Sequence, residues 1–517
     1  MKSSYEVVII GAGPVGMAMA ALLGRLGVDV LIVDRLAAIQ MDPRAIALDN
    51  EALRILAMCG LALDDLDVVH IPAVNYFSPI YGRFARMNTT ESVDTLPPLV
   101  TFFQPDLEAG LAASAHASGS VAVRRGVSAQ VIENSASGVL LRLKEVDTGV
   151  EEDIKARFVV ACDGAASSVR QSLGIDFSGI SYSQDWLIVD ALNVPEPVEE
   201  ITFYCDPERP APHMPAPGGR QRWEFMLHPG ETQEEFMRDA KIKELLKPWT
   251  SFENITVERK AVYRFHARLA DTFQVDSVFL AGDAAHVTPP FAGQGLVSGL
   301  RDVANLAWKL RAVLNSDLSA SALSSYTQER KPHAKKMIRL AQFLGEMIMP
   351  ANRLKATFVH GLAKFVGLLP VVHRVFTDMK VKPQNRYDDG LFLKARSKTE
   401  FVAGAHLPQW WLRSGQGDRQ RSDVVFGDCL LCMGVDCDPN RLVDDELREQ
   451  WQALGGSFFS LSTSEATRDL VGSWSVEGGN SPSSNQVLML RPDRLILASC
   501  DAKSLRRLMP KVIQLFV

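Results

Sequence analysis

The sequence predicts an α/β protein of two or three domains, and three stretches support that prediction. An apolar β-like run at residues 6–10 leads into the hexapeptide GAGPVG, and a segment with helical spacing follows it. A second strand–loop–helix pattern covers residues 277–314, and a new alternation of strands and helices begins at about Pro408. At 517 residues the chain is too long for one typical core, so several domains are expected.

Composition narrows the classes of function. Hydrophobic residues make up 47% and charged residues 22% of the chain, as in ordinary soluble globular proteins. The formal net charge of -6 argues against a general affinity for nucleic acid. Seven scattered cysteines, an odd number, suit a reducing cytoplasm better than a disulfide framework. No signal peptide, membrane-spanning helix or metal site is predicted.

The glycine-rich hexapeptide has the pattern Gly-x-Gly-x-x-Gly between a strand and a helix. Gly11 allows a tight turn, Gly13 allows close approach to a pyrophosphate, and Gly16 lets the helix lie against the strand. The next strand ends in Asp34, an acid that can bind an adenosine ribose hydroxyl. The acid favours an unphosphorylated ribose, so the motif predicts FAD or NAD rather than NADP.

Three further stretches place polar residues at predicted ends of strands or starts of helices. Arg44 precedes a predicted helix, where it could meet a phosphate or a flavin edge, or be a solvated turn residue. Gln104 opens another helix after a strand and could be an ordinary polar helix start. Residues 158–163 form a strand that ends in Asp163-Gly164, with Arg170 in the following helical turns.

The loop at residues 282–295 combines groups that suit a large polar cofactor which becomes negative during its reaction. It holds Asp283, His286, two consecutive prolines and the sequence Gly-Gln-Gly before a predicted helix. A helix start offers unpaired N–H groups and about half a positive charge. Read alone, the loop could equally be an ordinary strand-to-helix turn.

Together, these stretches resemble the three fingerprints of the single-component FAD-dependent aromatic hydroxylases, the class A flavoprotein monooxygenases. The fingerprints are the glycine motif with Asp34, the Asp163-Gly164 stretch, and Gly282-Asp283, and the resemblance covers the whole chain. It implies a Rossmann-like FAD-binding domain with a mixed-sheet substrate domain, as in para-hydroxybenzoate hydroxylase, and a thioredoxin-like C-terminal domain. The expected boundaries are 1–180 with 265–385 and a helical extension for the FAD domain, 181–264 for the substrate sheet, and 400–517 for the C-terminal domain.

The resemblance implies that NAD(P)H reduces non-covalently bound FAD and that O2 then forms a flavin C4a-hydroperoxide. Oxygen passes to the carbon ortho or para to the hydroxyl of a small phenol, expected to carry a short acidic side chain and to come from aromatic catabolism. Between the nicotinamide cofactors, NADH is favoured over NADPH. A hydroxylase of a larger polycyclic phenol in polyketide tailoring and a non-catalytic flavin-binding protein are the alternatives.

The resemblance also implies the residues that hold the cofactor. Asp34 would bind the ribose, Asp163 would lie near the pyrophosphate and the nicotinamide entry, and Asp283 would bind the ribityl chain. His286 is expected to be structural rather than a general base. The full expected set is Gly11, Gly13, Pro14, Gly16, Asp34, Arg35, Arg44, Gln104, Asp163, Gly282, Asp283, Pro290, Gly293, Gln294 and Gly295.

Activation of the phenol is expected from the substrate sheet, with Tyr263 as the first candidate, His266 as the second and Pro290 as a wall of the pocket. Odd and even positions of a strand face opposite ways, so Tyr263 and His266 can both face the pocket only if the strand bends. Candidates for binding an acidic side chain or the phenol itself are Arg209, Arg220, Arg222 and His213.

Several segments are assigned by pattern alone. Strands are predicted at residues 186–191, 200–204, 222–227 and 256–265, and the proline-rich residues 208–219 are predicted as a loop. Residues 358–376 are predicted to form an amphipathic helix that packs against the protein, and a contact with a membrane surface is the alternative. Residues 380–387 are predicted to be a linker.

The C-terminal region contains Cys429-x-x-Cys432 inside an apolar strand-like run. A reactive pair needs a helix N-terminus to lower the thiol pKa, so both thiols are expected to be structural. The C-terminal domain is then a packing or dimerisation domain, which allows for a homodimer.

Overall fold

The computed structural model describes residues 2–41, 44–350, 352–367, 382–394, 401–463, 474–477 and 481–517. The chain divides into two compact units, one formed by Met1–Val303 with Ala334–Pro383 and one by Ala304–His333 with Gln384–Val517. The expected division had three domains. The sheet expected at residues 181–264 lies in one unit with the dinucleotide sheet, and residues 304–333 group with the C-terminal residues. The division into three domains stays a prediction.

The described residues of the first unit form nineteen strands and several helices. Its strands in chain order are β1 (Ser4–Ile10), β2 (Val30–Asp34), β3 (Ala47–Asp49), β4 (Val68–His70), β5 (Ala73–Ser78), β6 (Gly82–Asn88), β7 (Leu99–Phe102), β8 (Val121–Arg125), β9 (Val127–Ser135), β10 (Gly138–Glu145), β11 (Glu151–Ala161), β12 (Phe177–Leu192), β13 (Ile201–Tyr204), β14 (Ala211–Ala216), β15 (Arg220–Met226), β16 (Thr256–Ala270), β17 (Gln274–Val275), β18 (Val278–Leu280) and β19 (His286–Val287). The helices are α1 (Pro14–Arg25), α2 (Asn50–Met58), α3 (Gln104–Ala117), α4 (Ser168–Ser172), α5 (Gln233–Phe236), α6 (Asp239–Leu246), α7 (Gly295–Leu314), α8 (Ser325–Ile348) and α9 (Arg353–Gly367), of which α7 and α8 continue into the second unit.

The dinucleotide sheet has the strand order β17-β18-β11-β1-β2-β8, with β10 paired to β11 and β9 to β10. Strands β18, β11, β1, β2 and β8 run parallel, so their carboxyl ends meet at one edge. The centre of β1 is fully buried, which explains its continuous apolar run. The glycine motif follows β1 at this edge, where ligands bind in doubly wound folds.

The second sheet has the order β19-β16-β12-β15-β14-β13-β5-β6. It recruits the hairpin β5–β6 from residues 73–88, far outside the expected 181–264 segment. The proline-rich stretch predicted as a loop is partly a strand, β14. Proline weakens a strand by removing a ladder donor, but β14 has neighbours on both sides and all six of its residues are buried, which only the tertiary fold provides.

The two faces of this sheet have different roles. Alternate residues such as Leu187, Val189 and Trp223 pack with α5 and α6 in an apolar core. The other face lies toward the cavity described below. A small third sheet, β3-β7-β4, supports the segment that leads from Arg44 to α2.

The second unit contains a mixed sheet with helices, as expected for the fold class of the C-terminal domain. Its strands are β20 (Trp411–Ser414), β21 (Arg419–Arg421), β22 (Leu430–Val435), β23 (Gly456–Ser462), β24 (Trp474–Glu477), β25 (Gln486–Leu490) and β26 (Ile496–Asp501), in the order β21-β20-β24-β23-β22-β25-β26. Its remaining helices are α10 (Ser422–Phe426), α11 (Pro439–Leu442), α12 (Asp445–Ala453) and α13 (Leu505–Ile513).

The cysteines of this unit lie in strand and core environments. Cys432 is fully buried in β22, and burial raises its pKa well above the ordinary thiol value. Cys429 contacts the Ser457 hydroxyl at 3.1 Å. Neither thiol lies at the start of a helix, so the structure offers no feature that would make Cys432 a reactive thiolate.

The amphipathic helix predicted at residues 358–376 corresponds in part to α9; residues 368–376 lie outside the described part of the chain, as do residues 380 and 381 of the predicted linker. Among the described residues, none of the helices has the length and apolar character needed to cross a bilayer.

Candidate active site

A cavity of about 710 Å³ lies within the first unit. Its walls are the glycine motif, the Asp163-Gly164 loop, the loop after β18, the open face of the second sheet and part of α8. The cavity begins at the carboxyl ends of the parallel strands, the usual ligand site of such sheets. It has a polar end beside the three glycine-containing loops and an apolar end between the sheet and α8.

The glycine motif forms a cradle in which side chains are excluded. Gly11 has φ +103°, and a Cβ there would lie 2.4 Å from the Cys162 carbonyl oxygen. A Cβ at Gly16 would lie 1.9 Å from the Gly11 oxygen, which is why α1 can approach β1 so closely. Nothing lies within 4 Å of a Cβ position at Gly13, which opens onto the cavity. Pro14 also lines the cavity and starts α1, so the helix N-terminus and an open backbone fit a pyrophosphate.

Asp34 is held in the cavity wall by two backbone donors. Its Oδ2 accepts from the Ala12 amide at 2.6 Å, and its Oδ1 accepts from the Leu36 amide at 2.8 Å. Arg35 and Arg125 line the same end of the cavity. The carboxylate is therefore oriented beside the cradle, where a ribose diol would lie.

Gln104 and Arg44 are connected, although 60 residues separate them in sequence. The Gln104 Oε1 accepts from the amides of Arg44 and Ala45, both at 2.9 Å, and its Nε2 donates to Glu108 at 2.8 Å. Gln104 thus holds the backbone of the segment that carries Arg44. The Arg44 guanidinium lies 5.5 Å from the centre of the Tyr263 ring, and both residues line the cavity.

The Asp163 carboxylate is half satisfied. Its Oδ2 accepts from the Val169 amide at 3.2 Å, whereas its Oδ1 is buried without a hydrogen-bond partner in the described chain. Buried acceptors are normally paired, so this atom is suited to a ligand. Arg170, which is also buried, donates to the carbonyls of Ala284 and Ala165 at 2.8 and 2.9 Å and so joins this loop to the loop after β18.

The loop after β18 is anchored by a residue that the sequence analysis did not single out. Asp302 Oδ2 accepts from the Gly282 amide at 3.0 Å and contacts His286 Nε2 at 2.7 Å. His286 is buried and does not line the cavity. Gly282 is also behind the wall, because a Cβ there would meet Val15 at 3.1 Å.

Asp283 is the acidic residue of this loop, and it lines the cavity. Burial raises the pKa of its carboxyl, while His286 and Arg44 oppose that rise. Within the described residues, its carboxylate has no hydrogen bond or ion pair. Pro290, Gly293 and Gly295 line the cavity next to it, and α7 begins at Gly295, so the amides of the first turn lie at the cavity wall.

The Gln294 side chain belongs to a buried network instead of standing free in the cavity. It donates to Asp49 Oδ2 at 3.0 Å and accepts from Arg301 at 3.0 Å. Lys382 bonds to both Asp49 and Glu51 at 2.7 Å. This network, missed by sequence reasoning because its members are distant in the chain, fixes the start of α7.

Most of the residues on the sheet side of the cavity are apolar. Its lining residues on the sheet are Val74, Tyr76, Ala85, Met87, Ile188, Ile201, Phe203, Met214, Glu224, Tyr263, Arg264, Phe265 and His266. Leu340, Leu344 and Met347 of α8 form the opposite side. Such a slot fits a small aromatic ring.

Tyr263 and His266 both line the cavity. Both can face the cavity only if the strand bends between them. The pairing of β16 with β12 is interrupted there, between the pairs Ser181↔His266 and Asp185↔Arg264. The Tyr263 hydroxyl accepts a hydrogen bond from Arg259 at 2.6 Å. His266 Nδ1 lies 2.8 Å from the Ser181 hydroxyl, and burial together with two nearby arginines lowers the His266 pKa.

The cations expected to bind the substrate are not in the cavity wall. Arg222 is buried in a two-bond ion pair with Asp190 at 2.6 and 2.9 Å. Arg220 pairs with Glu258, and Arg209 pairs with Glu231. Each arginine is already neutralised, so we withdraw all three as substrate ligands.

His213 is also withdrawn, for a geometric reason. Its register partner on β15 is Trp223, and the two rings stack at 4.3 Å in the core on the far side of the sheet. The neighbouring Met214 has the opposite orientation and lines the cavity. Alternation along β14 thus turns His213 away from the site.

Residues 4–341 match the protein family described as FAD binding domain, and residues 404–515 match the HcaD C-terminal domain. The chain is 33% identical over 531 residues to 3-(3-hydroxy-phenyl)propionate/3-hydroxycinnamic acid hydroxylase of Escherichia coli strain K12, which covers 99% of this chain and 95% of the relative. The flavin-dependent monooxygenase PieE, solved with FAD and substrate, aligns with a TM-score of 0.80 at 19% identity over 99% of both chains. Aklavinone-11 hydroxylase, solved with FAD and aklavinone, aligns with a TM-score of 0.77 at 23% identity over 99% of this chain and 100% of that one.

Proposed function

This chain belongs to the FAD binding domain family and is an FAD-dependent aromatic hydroxylase, and from that premise we propose that it hydroxylates a small monocyclic phenol with a short acidic side chain. The observation that carries the proposal is one cavity that joins a dinucleotide cradle to an apolar slot holding Tyr263. The E. coli relative, named for 3-(3-hydroxy-phenyl)propionate and 3-hydroxycinnamic acid, supports a substrate of that class. The product carries its new hydroxyl ortho or para to the first.

FAD, when bound, supplies the redox chemistry that activates O2 once a nicotinamide cofactor has reduced it. The residues around the polar end are suited to hold it. The backbone at Gly11 and Gly13 would cradle the pyrophosphate, Asp34 the ribose, and Asp283 the ribityl chain. The first turn of α7 at Gly295 would present amides and the positive end of its dipole to the edge of the ring where negative charge develops.

The apolar end would orient the phenol and exclude water. Phe291, Leu344 and Met347 line it and pack in one apolar core, so a bound ring replaces solvent there. Because Arg259 donates to the Tyr263 oxygen, the Tyr263 proton can point at another acceptor. We assign that acceptor as the phenolic oxygen of the substrate, which Tyr263 would hold in register with the flavin.

The nicotinamide cofactor, compartment and assembly are also proposed. NADH is the favoured reductant by family resemblance. The seven cysteines all lie in the described residues and form no disulfide there, which supports a reducing cytoplasm. A homodimer is the assembly that we propose to test.

The test is a panel of phenols scored for NAD(P)H oxidation and for H2O2 release with both nicotinamide cofactors. Phenylpropionates with a 3-hydroxyl are expected to stimulate NADH oxidation and to yield hydroxylated product with little peroxide. A phenol that stimulates NADH oxidation but releases H2O2 in place of hydroxylated product is a pseudo-substrate. Product formation only from resorcinols or from anthraquinones would reject the proposed substrate class, and the latter would favour the polycyclic alternative.

A further inference from the structure

Among the described residues of the second sheet that line the cavity, Glu224 is the one that carries a carboxyl. It lies on β15 with only 8% of its surface exposed. Its register partner is Ile188 on β12. A buried carboxyl costs free energy unless it has a function or a partner.

No partner for Glu224 is found in the described residues. The neighbouring charges are engaged with each other: Arg222 and Arg259 both bond to Asp190, and Arg259 also bonds to Tyr263. Burial raises the Glu224 pKa, Asp190 adds to the rise, and Arg222 and Arg259 oppose it. The carboxyl therefore stays available to the contents of the cavity.

Register places Glu224 and Tyr263 on the same face of the sheet. Ile188 of the central strand β12 pairs with Glu224 on one side and with Ala261 on the other. Tyr263 follows Ala261 by two positions, so both side chains are on the same face of β16. The Tyr263 hydroxyl bonds to Arg259, so the ring lies along this face of β16, in the row that contains Ala261. Two strand spacings, about 10 Å of backbone, separate the rows, and a substrate held against Ile188 would have Tyr263 on one side and Glu224 on the other.

The two groups have complementary hydrogen-bonding capacities. The Tyr263 hydroxyl already accepts from Arg259 and has a proton to donate. An ionised carboxylate only accepts. A phenolic hydroxyl needs one of each, a donor to its oxygen and an acceptor for its proton.

We propose that Glu224 is a catalytic residue whose carboxylate accepts first the hydrogen bond and then the proton of the substrate's phenolic hydroxyl. The inference rests on the proposed function. In this step the O–H bond of the phenol breaks, an O–H bond forms on Glu224, and the electron pair stays on the phenolic oxygen. That pair raises the electron density at the ortho and para carbons, and Glu224 returns the proton to the product oxygen before release.

The test compares binding of 3-(3-hydroxyphenyl)propionate with binding of its methyl ether, 3-(3-methoxyphenyl)propionate, to the oxidised holoenzyme. The ether has the same oxygen but no proton to donate. Wild-type protein should prefer the phenol by roughly tenfold or more, since a hydrogen bond to a charged group contributes about 1.5–3 kcal/mol. Binding is followed by the perturbation of the flavin absorption spectrum.

Three variants separate the roles. Glu224→Met removes the acceptor at similar volume and should reduce the preference for the phenol to less than about twofold. Tyr263→Phe is the matched control, because the lost donor weakens both ligands alike and keeps the preference. Glu224→Gln keeps an accepting oxygen but cannot take a proton, so it should keep part of the preference and lose most of the turnover.

The pH profile of turnover gives a readout that a merely structural role would not move. Turnover by the wild type should fall as the pH is lowered and Glu224 becomes protonated. Because burial raises the Glu224 pKa, this fall should occur at a higher pH than it would for an ordinary carboxyl. Glu224→Gln should lack that acid limb. Asp190, Arg222 and Arg259, whose charges act on the Glu224 carboxyl, remain unchanged in this variant.

The outcomes distinguish the inference from the proposed function. If Glu224→Met keeps both the preference and the turnover while the wild type hydroxylates phenols, only the role of Glu224 is rejected. If the wild type shows no response to any phenol, the proposed function fails and this inference fails with it.

Discussion

Two sets of buried charged groups in this molecule behave in opposite ways. In the second unit, Glu329 is fully buried and accepts from Arg491 at 2.7 and 3.0 Å and from Lys309 at 2.9 Å. In the first unit, the carboxyls of Asp283 and Glu224 line the cavity, and no ion pair to either is found among the described residues. The contacts of Arg491 and Lys309 hold the Glu329 pKa far below its usual range, whereas burial raises the pKa of both cavity carboxyls.

The difference separates structural charges from functional ones. A buried charge that is paired and hydrogen-bonded is tolerated as part of the core, and removal of one partner is costly. A buried carboxyl that faces a cavity without a partner is destabilising until a ligand arrives, which is the usual signature of an active site. Five predictions test this contrast, in order of decreasing effect.

Removal of the Glu329 carboxylate should have the largest effect on stability. Glu329→Ala leaves Lys309 and Arg491 buried without their shared partner, at a cost of roughly 3–5 kcal/mol in the free energy of unfolding. Urea unfolding of the full chain measures this loss. Asp153→Asn, which breaks the exposed pair with Arg142, is the control and should leave the midpoint unchanged.

The contacts of Glu329 with Lys309 and Arg491 also predict how the stability difference between wild type and Glu329→Ala changes with pH. A carboxyl with a lowered folded pKa stabilises the fold above its unfolded pKa, and that contribution is lost as pH falls through the folded pKa. The advantage of wild type over Glu329→Ala should therefore persist through mildly acidic pH and vanish only in strong acid. A constant difference at all pH values would contradict the assigned ion pair.

Loss of the Asp283 carboxylate should act on the cofactor rather than on the fold. Asp283→Ala is expected to weaken FAD binding by roughly 10- to 100-fold, the equivalent of one hydrogen bond to a charged group. Titration of the apoprotein with FAD, followed by flavin fluorescence, gives the dissociation constant. Asp64→Ala, an exposed position away from the cavity, provides the matched control. Equal affinities of the two variants would remove Asp283 from the cofactor site.

Replacement of Glu224 should stabilise the protein. A carboxyl whose folded pKa is raised lowers the stability as pH rises through that pKa, so its removal helps most at neutral and alkaline pH. Glu224→Met should raise the free energy of unfolding by about 1 kcal/mol at pH 8, with a smaller gain at pH 5. Thermal unfolding at both pH values is the measurement. A loss of stability would show that Glu224 has a structural partner.

His286→Asn should have the smallest effect on turnover per bound flavin. His286 contacts Asp302 behind the cavity wall, so its replacement loosens the loop without removing a reacting group. The change should be far less than the roughly 10²- to 10⁴-fold loss expected for a general base. Stopped turnover in a variant that still binds its full complement of FAD would overturn the structural role of His286.

The fold class, the FAD-dependent hydroxylase activity and the family were predicted from sequence and are confirmed. The reason is local: a glycine motif, a following acid and a strand-to-helix loop are each set by a few consecutive residues. The roles of Asp34, Asp163 and Asp283 stay predictions, but the structure places all three in the cavity wall. The structural role that the resemblance implies for His286 also stays a prediction, and its side chain is buried behind that wall.

Predictions that depended on which way a side chain points were wrong or incomplete. Arg222 looked available in sequence, yet Asp190, a residue of the adjacent strand, neutralises it. His213 lies one position from a cavity residue but faces the other side of the sheet. Glu224 was not chosen at all, because neither its neighbours in sequence nor its residue type reveals a cavity.

The sequence by itself determined the dinucleotide cradle, since glycine turns and helix starts are formed by contiguous backbone. Only the tertiary structure decided the substrate side. There, a sheet assembled from residues 73–88, 177–226 and 256–287 sets by register which alternate side chains meet in one slot. Register depends on pairing between distant strands, and a shift of one position would turn Glu224 and Tyr263 away from the cavity.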